Sequence, residues 1–184
     1  MIAEKRVYEE EVSPEMLLPE GESQPDFPRL VGGGFAATAA MTGVMYVGPW
    51  LGLANIDLAG MLGLMLTGEM PRLFGVSWWA GMVWHFINGA VLFPLIFAYL
   101  VLPGRGSRMA PSAAGVVYGV TLWSVLQVIV MPLMGAGIFA RYLTNPGLLI
   151  FGSLLVHVVY GAILGAIVRL RSARFIEITQ TRAA

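Results

Sequence analysis

His85 and His157 are the only two histidines in the 184-residue chain, and they are the side chains best suited to chemistry. Each opens the same pattern, His-x-x-(Asn/Tyr)-Gly-Ala-(Val/Ile)-Leu, which runs from His85 to Leu92 and again from His157 to Leu164. The offset between the copies is 72 residues. Two neutral imidazoles held at one depth in a helical bundle make a bis-histidine ligand set for a b-type haem. Gly81, Gly89 and Gly161 would leave room beside them for a flat macrocycle. The blander role is also open: each ring simply hydrogen-bonds a neighbouring helix, with Asn88, Gln127 and Tyr160 as available partners.

Other chemistries find little footing. There is no Cys, which removes disulfides, thiolate metal sites and cysteine nucleophiles. Ser112, Ser124 and Ser153 have no histidine–acid pairing near them in sequence, and no Asp or Glu falls within the long apolar runs. The same lack of acids argues against a proton- or cation-coupled transporter. Pro49, Pro94 and Pro132 would suit a small-molecule transporter built from two helical hairpins, or would only kink their helices. Gly32-Gly33-Gly34 is no phosphate-binding loop, because no strand precedes it and no Lys-Ser/Thr follows. No catalytic residue and no metal site is assigned, the expectation is a non-enzyme, and no nucleic acid is expected as a partner.

The elements that must carry these residues are helices in lipid. The chain is 57% hydrophobic and 12% charged, with a mean hydropathy of +0.75; a soluble domain holds about 25% charged residues. Charge-free runs at Val31–Leu53, Val76–Leu102, Ser112–Ala140 and Gly147–Val168 each exceed the roughly 20 residues that cross a bilayer. They predict spans over 31–53, 76–102, 112–140 and 147–170 within a membrane domain at 31–171. Asp57 predicts the N-cap of a short interfacial helix over 58–66 on the outer face. Residues 1–30 hold eight of the eleven acids (Glu4, Glu9, Glu10, Glu11, Glu15, Glu20, Glu22 and Asp26) and are broken by prolines. They predict an acidic tail, solvated or laid as a strap over a partner. Residues 172–184 predict a C-terminal tail. Arg29, Arg105, Arg108, Arg169, Arg171 and Arg174 gather on one side, and Arg72 and Arg141 flank the other. The positive-inside rule then puts both termini in the cytoplasm of a prokaryotic inner membrane.

The duplicated histidine pattern suggests two pseudo-repeated hairpins. Pro49-Trp-Leu-Gly52 and Pro132-Leu-Met-Gly135 echo one another at an offset of 83, eleven more than 72, which the outer helix would absorb. The expected fold is therefore all-α: an integral membrane four-helix bundle made of two such hairpins, parallel repeats about an axis along the membrane normal. Gly89, Gly161, Gly115, Gly119 and Gly165 are expected as helix-packing positions, with Gly32, Ala36 and Ala40 as a similar strip on the first helix. Apolar helices in lipid associate mainly by close packing of small residues.

The twofold His-x-x-(Asn/Tyr)-Gly pattern in four spans, with Pro49 and Pro132, resembles a group of small bacterial and archaeal membrane proteins. The likeness runs from about Val31 to Arg171. Some of that group are associated with haem–copper oxidases or other electron-transfer complexes. The resemblance implies a non-catalytic accessory subunit, partnered by other integral membrane subunits and by lipids, most readily in respiratory or photosynthetic electron transfer. No resident cofactor is expected on that reading. A haem b electron carrier through His85 and His157 and a two-hairpin transporter are the alternatives.

Overall fold

The computed structural model describes residues 27–53, 55, 57–102 and 109–182, with side chains as far as Ile167. The acidic tail before Phe27, the loop of Arg105 and Arg108, and the side chains of Arg169, Arg171 and Arg174 lie outside those residues. Every regular element among the described residues is helical. Four helices are long and apolar enough to cross a membrane, so the chain is a multi-pass membrane protein.

Helix α1 covers Phe27–Val47 and tightens into a 3₁₀ turn at Gly48–Leu51. It takes in four residues of the expected tail, Phe27 to Leu30, because Pro28 suits a first helical turn, where its missing N–H goes unused. Helix α2, Leu58–Thr67, starts where the Asp57 carboxylate accepts from Gly60 N at 2.9 Å. The same Asp57 oxygen accepts from Trp78 Nε1 at 3.0 Å, tying the start of α2 to the start of the next helix. Helix α3 spans Val76–Val101 and helix α4 spans Pro111–Leu133. Helix α5 runs Pro146–Arg182, again with proline in its first turn.

Two expected boundaries move. The third span stops at Leu133, not at 140, because Gly135 and Gly137 take left-handed φ of 78° and 76° and turn the chain. Within residues 134–140, Ala136 and Ala140 join Met131 and Leu149 in a small core at that end of the bundle, and Ile138 and Phe139 are exposed. Lack of charge alone does not mark where this helix ends. At the other extreme, most of the expected C-terminal tail is helix continuous with α5, since no Gly or Pro follows Gly165 to stop it.

Helix α1 lies against both α3 and α5, α4 lies against α5, and α2 lies along α3. The central core is Ala37, Met41, Phe97, Tyr118, Tyr160 and Leu164 with their neighbours. Close backbone approach sets these crossings. A Cβ on Gly161 would lie 2.1 Å from the Gly115 carbonyl oxygen, and one on Gly119 would lie 2.2 Å from that of His157. One on Gly115 would meet Gly161 O at 2.1 Å, and one on Gly165 would meet Pro111 O at 2.3 Å. On the α1–α3 side, a Cβ on Gly89 would come within 2.3 Å of Thr38 Oγ1. The strip expected at Gly32, Ala36 and Ala40 is not the packed one: Gly32 and Ala36 are exposed, and Gly33, Gly34, Ala37 and Thr38 are buried. Three successive glycines carry no side chain to betray the helix phase, so the face was displaced by one or two positions.

Candidate functional site

The site grows from a defect in α3. Residues Asn88–Leu92 form a π turn, in which Phe93 N–H reaches back five residues to Asn88 O. In that register the next donor would be residue 94 and its acceptor Gly89 O, but residue 94 is proline and has no N–H. Tyr160 of α5 supplies the missing hydrogen, its hydroxyl donating to Gly89 O at 2.8 Å. Tyr118 of α4 donates to Phe93 O at 2.9 Å one turn further on. An unpaired carbonyl in hydrocarbon is costly, so Tyr160 is the complement of Pro94; Phe93 O already accepts from Phe97 N–H and gains a second donor in Tyr118. Helix α4 repeats the device: a π turn at Leu126–Val130 precedes Met131-Pro132.

Between the two π turns lies a cavity of about 260 Å³. Met41 of α1, Tyr160 of α5, and Leu58 and Leu62 of α2 contribute to its lining. Its sides are Trp84, Asn88 and Phe93 of α3 and Leu122, Leu126 and Val130 of α4. Both histidines are in its wall. His85 is nine residues into α3 and His157 eleven into α5, so their backbones sit about 13 and 16 Å from the same end of the bundle. Among its lining residues Trp84 of α3, Val125 and Leu133 of α4 and Met65 of α2 are exposed, so the cavity reaches the surface of the bundle.

The two rings are held differently. His157 Nδ1 lies 2.7 Å from the carbonyl oxygen of Ser153, one turn back. A carbonyl only accepts, so Nδ1 carries the proton, and the neutral ring keeps its lone pair on Nε2. His85 Nε2 is 3.0 Å from Thr42 Oγ1 on α1, where either group can donate. Asn88 turns its amide N–H to Trp84 O at 2.7 Å.

The remaining sequence candidates fall as follows. Gly81, Gly89 and Gly161 do not leave a slot beside the histidines. A Cβ on Gly81 would strike Ala59 O of α2 at 1.9 Å, and the other two positions are closed by α1 and α4. With His85 Nε2 engaged and 260 Å³ of space, the residues present do not fit a haem held between these two rings. Gln127 bonds neither histidine: its Nε2 donates to Ser153 Oγ at 2.8 Å, and its Oε1 is buried with no partner. Thr42 went unnoticed in the sequence, although a hydroxyl one turn after Thr38 in an apolar helix is the type of signal that marks an interhelical bond.

No curated protein and no solved structure matches the chain. Residues 28–175 do match one family, described as a family of unknown function (DUF6789). That match runs from the first turn of α1 deep into α5 and takes in the whole cavity wall, so the chain belongs to the DUF6789 family.

Proposed function

We propose that the chain is a non-catalytic accessory subunit of a larger membrane complex, set in a prokaryotic cytoplasmic membrane with both termini on the cytoplasmic side. The observation that supports it is the outer face of α4. Only 22% of this span's apolar window is buried, the least of the four. Ala113, Val117, Val120 and Thr121 are exposed along one stripe, with Ser124 half-buried on the same line. The two hydroxyls on it are satisfied by their own helix, Thr121 donating to Val117 O at 3.0 Å and Ser124 to Val120 O at 3.0 Å. By contrast, α3 exposes bulky Trp79, Trp84, Ile87 and Tyr99. A smooth face of small and β-branched residues is what a neighbouring transmembrane helix packs against, and large irregular side chains suit lipid. The resemblance to proteins associated with electron-transfer complexes makes such a complex the first place to look. Co-purification from native membranes in gentle detergent tests it: partner subunits should accompany the wild type, and Val117→Trp should release them. Val83→Trp, on the exposed face of α3, should not. A Soret band in the purified chain would instead support the haem carrier.

A further inference from the structure

We propose that the cavity between α3 and α4 binds one neutral, membrane-dissolved molecule built on a hydroxylated ring, a phenol-class ligand whose hydroxyl donates to His157 Nε2. Three observations converge on this class. The Ser153 carbonyl takes the Nδ1 proton of His157, so the cavity wall offers a lone pair that calls for a donor. Asn88 donates one amide hydrogen to Trp84 O, and its carbonyl oxygen is a further acceptor on a residue of the same wall. An apolar lining around the His157 lone pair selects an apolar body with a hydroxyl, because at that nitrogen a ketone, ether or ester brings no hydrogen.

Size and access narrow the class further. A cavity of about 150 Å³ holds benzene, so 260 Å³ admits one substituted ring and excludes a macrocycle. The exposed lining residues Trp84 and Val125 lie within the apolar spans of α3 and α4, so the cavity meets the surface that would face the bilayer. The ligand therefore arrives from lipid. Trp84 and Phe93 supply aromatic walls for the ring.

The test uses the full chain in lipid nanodiscs with ¹⁵N-labelled histidine, titrated with 4-propylphenol and with 4-propylanisole. The anisole has the same shape but its hydroxyl hydrogen is replaced by methyl. The phenol should shift the His157 Nε2 resonance and saturate at one molecule per chain, and the anisole should bind roughly tenfold more weakly, the worth of one neutral hydrogen bond. A short-chain hydroquinone should likewise bind more tightly than the corresponding quinone, which only accepts. His157→Phe should bring the phenol down to the level of the anisole. Leu122→Trp, which fills the cavity while keeping His157, should abolish saturable binding of both. A shift that grows without saturation, or equal affinities for phenol and anisole in the wild type, would overturn the proposal.

Discussion

Gln127 is fully buried yet only half satisfied. Its amide nitrogen donates to Ser153 Oγ, which also accepts from Trp123 Nε1 at 3.1 Å and donates to Ile150 O at 3.0 Å. The serine hydroxyl is thereby saturated, and Gln127 Oε1 remains alone in the apolar interior. Removing such a residue deletes one hydrogen bond and one desolvated acceptor together. Gln127→Met should therefore leave thermal stability unchanged or raise it, where loss of a fully satisfied buried glutamine would cost about 1–3 kcal/mol. Thermal unfolding in detergent micelles measures the difference, and a large drop would mean that Oε1 has a partner. At this scale the sequence was partly legible. The repeated pattern picked out His85 and His157, which the fold brings to one cavity. Their partners were hidden, because Thr42 and Ser153 lie on other helices or are reached through a backbone carbonyl that no side-chain pattern reports.

Pro94 and Tyr160 act as one unit within α3 and α5. Tyr160→Phe strips Gly89 O of the tyrosine hydroxyl and should cost about 1–3 kcal/mol. Tyr118→Phe should cost less, because Phe93 O also accepts from Phe97 N–H. Pro94→Ala restores a backbone donor, so Tyr160→Phe should cost less in that background; a double-mutant cycle with no coupling would refute the link. The glycine crossings rank in the same physical way. Gly161→Ala drives a methyl into the Gly115 carbonyl and should cost about 1–3 kcal/mol. Gly89→Ala meets the Thr38 side chain, which can turn aside at the expense of its bond to Gly34 O, and should cost less. Gly43→Ala, with nothing within 4 Å, should do no harm. Equal losses at all three sites would remove close approach as their cause. The number and rough place of the spans, though not the end of α4 at Leu133, were readable from charge, since charges avoid hydrocarbon. The π turns were not, because Pro94 reveals its consequence only when a donor from α5 is seen opposite Gly89. The two halves also differ at this point: α5 carries Ala166 where α3 carries Pro94, and runs unbroken as a helix.

For the whole molecule, the lack of cysteine makes orientation easy to measure. Arg141→Cys should react with a membrane-impermeant maleimide in cells with a permeabilised outer layer, and Arg105→Cys should not until the inner membrane is opened; the reverse pattern would invert the proposed topology. The weakly buried α4 face and the interior held by glycine crossings fit a subunit that packs tightly within itself and offers one smooth helix to a neighbour. The most direct test is the mass of the particle recovered from native membranes in gentle detergent. An accessory subunit should run as part of a larger assembly that Val117→Trp dissolves into a folded free chain. A monodisperse monomer from wild-type membranes, with no subunit beside it, would contradict the account.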